Sequence, residues 1–271
     1  LEAGAVAFAA AVVALEIRHF SSSGRVWRPL FRFSEGALHV ASLSIMATAM
    51  MRIATRLDRI VLHWSWRILG TMALIGAVWL LLANPYFVYQ PVGEWPLLDW
   101  LLVAYLLPAT LALVAVAHPA TKHPPAVRRV LQVYALVAIF AWICLEVRHL
   151  FHGSRIDLFR TSFEPAEFWV LSGTWLAYGG VLLVVGLFRR NRNIRLAGLG
   201  IVGLATAKVF LLDMDALVGL WRVLSFLGLG LALIGFGALY RRWAVPPAPT
   251  APEDPAPEPG PDAEPETPPA T

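Results

Sequence analysis

Residues 130–150 read VLQVYALVAIFAWICLEVRHL. Positions 130–145 hold no charge, no Gly and no Pro, and the run then breaks into Glu146, Arg148 and His149. Crossing the hydrocarbon core of a bilayer takes about 20 helical residues. Lipid satisfies no backbone N–H or C=O, so only helices and closed barrels span it. The stretch lacks the strict alternation of a barrel strand and reads as a transmembrane helix. The rest of the chain agrees: of 271 residues, 58% are hydrophobic and 15% charged, with a mean hydropathy of +0.64. A soluble domain carries about a quarter of its residues as Asp, Glu, Lys or Arg. This chain is too apolar to be disordered throughout and too poor in charge to cover a water-soluble globule.

Eight apolar runs predict eight spans, at 3–17, 37–51, 68–83, 97–117, 127–145, 168–188, 196–212 and 219–240. The first two are short, so their helices are expected to continue through polar neighbours and leave Glu16, Arg18 and His39 at interface depth. Glu2 and the lack of a basic leader segment argue against a signal peptide. Connections two, four and six, with the segment after span eight and with Arg128 and Arg129 at the start of span five, hold 13 of the 22 basic residues, and the other connections, with Arg222 at the start of span eight, hold 8. The positive-inside rule therefore predicts both ends in the cytoplasm. Trp64, Trp66, Trp95, Trp100, Trp169, Trp221 and Trp243 fall near span ends, as interfacial anchors do. The formal net charge of +4 divides into +10 over residues 1–243 and −6 over the rest. Residues 244–271 hold 11 of the 20 prolines, six carboxylates and no base, and are expected to be a disordered cytoplasmic tail.

The unit Leu15-Glu16-Ile17-Arg18-His19-Phe20 recurs as Leu145-Glu146-Val147-Arg148-His149-Leu150, an offset of 130. The same offset pairs Arg25 with Arg155, Phe33 with Phe163, Ser42 with Ser172 and Ala47 with Ala177. One period holds four spans, so the halves share an orientation, as in parallel membrane repeats. The expected fold is an all-α polytopic transmembrane bundle in two parallel four-helix repeats, 1–126 and 127–243, with the tail at 244–271.

Within each Glu-x-Arg-His unit, Glu and His lie about 60° apart on one helix face, while Arg points about 160° from Glu. Glu16 and Arg18, like Glu146 and Arg148, therefore need partners elsewhere, and Glu35, His39, His152, Glu164 and Glu167 are the candidates. The unit reads either as a charge network tying helix ends or as a proton- or cation-binding vestibule. A second cluster is Lys208, Asp213, Asp215 and Arg222. Lys208 is expected to snorkel outward and one Asp to pair with Arg222. The Asp213-x-Asp215 spacing also resembles the metal-binding carboxylates of sugar transferases. Cys144, the single cysteine, excludes a disulfide or a Cys-based metal cage and reads as a small buried hydrophobe. Gly198, Gly200 and Gly203 match a dinucleotide fingerprint, but that motif needs a strand and a soluble βαβ unit. Close helix packing is the expected reason for these glycines, and for Gly228, Gly230, Gly235 and Gly237. No motif calls for a cofactor, a metal or a nucleic acid.

Arg195, Gly198, Lys208, Asp213, Leu217, Arg222, Gly228, Tyr240 and Arg241, in their local sequence, resemble the C-terminal end of a bacterial family of predicted multi-pass membrane proteins, domain of unknown function 2339. The Glu-x-Arg-His units are similar too, and the likeness runs over roughly residues 1–242. It implies a bacterial inner-membrane location and further transmembrane segments in a longer parent chain, and it supplies no reaction. Lys208, Asp213 and Arg222 match its pattern. The expected function is non-enzymatic, transport-related or an envelope scaffold, with anionic lipid head groups against the basic loops. The alternative is a membrane enzyme acting on lipid-linked substrates at the outer face through Asp213 and Asp215.

Overall fold

The structure, a computed structural model, describes residues 2–22, 32–57, 59–118, 123–159, 161, 164–209 and scattered positions between 223 and 241. These hold α1 (Glu2–Ser21), α2 (Phe33–Ala54), α3 (Ile60–Leu82), a π-helical turn (Leu102–Leu106) running into α4 (Leu107–Ala117), α5 (Pro125–His152), α6 (Pro165–Phe188) and α7 (Arg192–Lys208). No strand occurs among the described residues. Helices α1, α2, α3, α5 and α6 are long and apolar enough to cross a membrane. The expected count of eight is thus met by five full-length candidates. The fourth and seventh runs form the shorter α4 segment and α7, and half of run eight and all of the tail 244–271 lie outside the described residues.

Every helix except α4 extends beyond its apolar run on at least one side, because helix formation depends on backbone geometry and tolerates polar side chains at the interface. Their limits are set by local chemistry. Pro125 and Pro165 stand in the first turns of α5 and α6, where the missing N–H costs nothing. Gly153, at φ 64°, ends α5 in a backbone region open mainly to glycine. Asn191 caps α7, its side chain accepting from the N–H groups of Asn193 and Ile194. At 1.5 Å per residue, α5 is about 42 Å long, more than the roughly 30 Å hydrocarbon core. With Arg129 at one interface, about 20 further residues bring the chain to His149 at the other.

The main core lies between α2, α3, α4 and α5, where Phe33, Ala37, Leu80, Leu101, Tyr105 and Ala138 are buried together. The Tyr105 hydroxyl donates to Leu80 O at 2.9 Å, satisfying the polar atom that its burial would otherwise strand. Large apolar side chains such as Ile75, Phe188 and Ile234 are exposed, as on a surface meant for lipid. Helix α1 buries no residue.

The closest helix approaches are α2 with α3 and α6 with α7. Small residues allow the second: a Cβ on Gly198 would lie 2.8 Å from Leu183 N, and one on Gly179 would lie 2.8 Å from Val202 Cγ2. Gly198 therefore serves helix packing as expected. At Gly200, Gly203, Gly228, Gly230, Gly235 and Gly237 a Cβ meets nothing within 4 Å among the described residues. Overpacking costs about 1–3 kcal/mol, so Gly179→Val is expected to lower the melting temperature of the detergent-solubilised protein. Gly203→Val should cost no more than its backbone propensity. Equal melting of both variants would show that the α6–α7 contact is loose.

Candidate functional site

At one end of the bundle the connection 83–101 meets residues 153–159, which follow α5. Leu158 N donates to Tyr86 O at 3.0 Å, Val92 N to Ser154 O at 3.3 Å and Trp100 N to Val92 O at 2.9 Å. Gly93, at φ 126°, lets the first connection turn back on itself, where a Cβ would sit 3.2 Å from Asp99 Cβ. That turn delivers Asp99 to the start of the α4 segment. Its Oδ1 accepts from Leu101 N at 3.0 Å and Leu102 N at 3.1 Å, the geometry of an N-cap.

The other oxygen of Asp99 faces α5. Asp99 Oδ2 lies 2.9 Å from His149 Nδ1, and Glu146 Oε2 lies 3.8 Å from the same nitrogen. Asp99, Glu146 and His149 are all buried, and one ligand atom from each falls within 4.8 Å of the others. Leu97 N donates to Glu146 Oε2 at 3.2 Å. Leu97 holds φ at 68° while doing so, a strained setting for a branched residue. Glu146 Oε1 and His149 Nε2 have no hydrogen-bond partner among the described residues. Among the described residues neither carboxylate is ion-paired with Arg or Lys. Two buried carboxylates and one imidazole therefore sit together with spare acceptor capacity.

Arg148 points the other way, as its helical phase requires. Its Nη1 donates to Glu167 Oε1 at 2.8 Å, its Nε to Ile156 O at 2.8 Å, and its Nη2 to Thr161 Oγ1 at 2.6 Å and Thr161 O at 3.0 Å. The guanidinium lies 5.2 Å from the Tyr86 ring centre. Burial pushes the Tyr86 phenol above its ordinary value, so the ring stays neutral beside the cation. His152 Nε2 lies 2.8 Å from the second oxygen of Glu167.

The first copy of the unit is arranged differently. Arg18 reaches Glu35 Oε1 and Oε2 at 2.8 and 2.9 Å, and His39 lies 3.9 Å from Glu35. Arg18 thus meets the first turn of the following helix, as Arg148 does. Glu16 and His19 are exposed, whereas Glu146 and His149 are buried. Glu164 is exposed and joins neither network. Lys208 does not snorkel outward: its Nζ donates to Ser172 Oγ at 2.6 Å and Phe168 O at 3.1 Å, pinning α7 to α6. Asp213, Asp215 and Arg222 lie outside the described residues. Cys144 is half-buried, its Sγ accepting from Trp175 Nε1 at 3.1 Å.

Asp99 is the functional candidate that the sequence did not single out, because it falls inside the apolar run 97–117. Its signal is the one expected of an N-cap, a lone Asp directly before an apolar helix.

Long lipid-facing helices closed at one end by a buried polar cluster define a multi-pass helical membrane protein. The chain belongs to the DUF2339 family of predicted membrane proteins, which it matches over residues 1–243. No curated protein and no solved structure matches it.

Removing one member of a buried ion pair costs about 3–5 kcal/mol, because the other charge is stranded. Arg148→Met should therefore strand Glu167 and destabilise strongly, and Arg148→Lys should rescue poorly, since an ammonium's three donors radiate from one point and cannot match four acceptors spread around a guanidinium. Arg18→Met, at a side chain 24% exposed, should cost about 1 kcal/mol or less. Thermal melting in detergent checks the order. Equal losses would show that burial does not distinguish the two pairs.

Proposed function

We propose a transport-related membrane protein in which Asp99, Glu146 and His149 take a divalent cation at the outer end of the bundle. The observation that carries this reading is the convergence of three ligand-bearing side chains, from the 83–101 connection and from α5, in one buried cluster. Buried polar groups need partners, and among the described residues the His149 imidazole is the only basic side chain paired with these carboxylates. A bound cation would bridge the two carboxylates and the imidazole and use the Glu146 Oε1 that lacks a hydrogen-bond partner among the described residues.

The spacing is compatible. Bonds of about 2.0–2.2 Å from a tetrahedral metal to nitrogen and oxygen place ligand atoms roughly 3.3–3.5 Å apart. The 2.9 and 3.8 Å separations bracket that value. One imidazole and two carboxylates suit Zn²⁺ or Mn²⁺ better than a soft ion. The Leu97 N–H bond to Glu146 and the Leu101 and Leu102 N–H bonds to Asp99 would serve as outer supports holding each carboxylate in place.

A scaffold role for the neighbouring groups is supported by Arg148, whose acceptors come from α5's own C-terminal connection and from α6. The two roles are compatible: one face of α5 braces the outer end and the other presents the cluster.

Calorimetric titration of the full chain in detergent with ZnCl₂ tests the reading. One site per chain is expected, weakened at least about ten-fold by Asp99→Asn, Glu146→Gln or His149→Gln and unaffected by Glu16→Gln. Binding that survives the three cluster substitutions together, or no binding by the unaltered protein, overturns it.

A further inference from the structure

A cavity of about 700 Å³ opens between α2, α3, α4 and α5 in the half of the bundle away from Asp99. Its wall is apolar along most of its length, with Ala73, Leu111 and Leu131 among the lining residues. Arg67, His63 and His123 stand at its mouth, and no carboxylate among the described residues lines it. From Arg67 to Ala77, both on α3 and both lining it, is ten residues, or about 15 Å. That depth is half of the roughly 30 Å hydrocarbon core, so the cavity is as deep as one leaflet.

The mouth is held at interface level by aromatic rings. The Arg67 guanidinium lies 5.4 Å from the Trp66 ring centre and 5.8 Å from that of Trp64, and Trp66 meets His123 edge-on at 5.3 Å. Indoles prefer the head-group layer, and they keep the cation there. Inside the cavity, Tyr134 is 7% exposed and its hydroxyl has no partner among the described residues. An orphaned hydroxyl in an apolar wall is costly, and an acceptor on a guest molecule removes that cost. A guest complementary to all three features has an anionic head, ester oxygens below it and a hydrocarbon chain.

We propose that this cavity seats an acyl chain of an anionic phospholipid, with the phosphate against Arg67 and His123 and an ester oxygen near Tyr134. The site is separate from the Asp99 cluster and stands whether or not that cluster binds a cation. A lipid held between four helices would complete the packing of α2, α3, α4 and α5 where protein atoms leave a gap, and would make the fold responsive to head-group charge.

Native mass spectrometry of the full chain in detergent tests this, with phosphatidylglycerol and phosphatidylcholine of identical chains supplied in equal amounts. Retention of the anionic lipid is expected to exceed that of the zwitterionic one on the order of five-fold, about what one basic group at a membrane surface contributes. Arg67→Gln combined with His123→Gln should abolish the preference, and Ala112→Phe, which fills the cavity, should abolish retention of both lipids. Should Ala112→Phe lower the melting temperature, quenching by phosphatidylglycerol with brominated chains decides: the quenched fraction should fall when Trp66→Phe removes the indole lining the cavity. Equal retention of the two lipids, a preference untouched by the double variant, or quenching unchanged by Trp66→Phe overturns the proposal.

Discussion

A guanidinium withdrawn from water must find acceptors for its N–H groups, and that requirement organises the closed end of this bundle. Arg148 is 1% exposed. It is bonded to a carbonyl in the connection after α5, to both oxygens of Thr161 and to Glu167 in the first turn of α6. One side chain thereby fixes the connection's path, the spacing of α5 from α6 and the rotation of α5 about its own axis. Buried ion pairs contribute little net stability against apolar replacements. The value of this one lies in orientation, since α5 can satisfy its guanidinium in only one rotational setting.

That rotation has a consequence two residues back and one forward. On a helix, Glu146 and His149 share a face and Arg148 lies nearly opposite Glu146. Turning Arg148 toward α6 turns Glu146 and His149 toward the connection between α3 and α4, where Asp99 waits at the start of its helix. Asp99 is committed too, because one of its oxygens caps that helix and only the other is available to His149. The cluster is therefore held by two constraints that have nothing to do with ligand binding, a buried cation and a helix cap. Preorganisation of this kind lowers the ordering cost of taking a ligand.

Much of this was legible in the sequence, and the boundary of legibility is physical. Helices follow from apolar run length, and the divergence of Arg from Glu and His follows from 3.6 residues per turn. Glu35 and Glu167 were identifiable as partners because each stands in the first turn of the helix after a unit. Asp99 was hidden, since an isolated acid inside an apolar run reads as an interfacial accident until the fold returns it against α5. Lys208 was misread for a related reason. Snorkelling is the default for a lone lysine, but Ser172 on the neighbouring helix offers an inward acceptor that no spacing rule reveals. The glycines divided likewise: a Cβ at Gly198 would meet α6, and one at Gly203 would meet nothing within 4 Å among the described residues, although a single pattern contains both.

The two copies of Glu-x-Arg-His show how one sequence unit supports unlike surroundings. In both, Arg reaches a Glu at the start of the next helix, a local relation that travels with the unit. Glu16 and His19 are exposed, whereas Glu146 and His149 are buried against Asp99. The connection that buries Glu146 and His149 runs from α3 to α4, ahead of α5 in sequence. Arg18 and Arg148 make the same kind of contact, each with a Glu in the first turn of the helix that follows, whereas the Asp99 cluster is made between α5 and the connection that precedes α4.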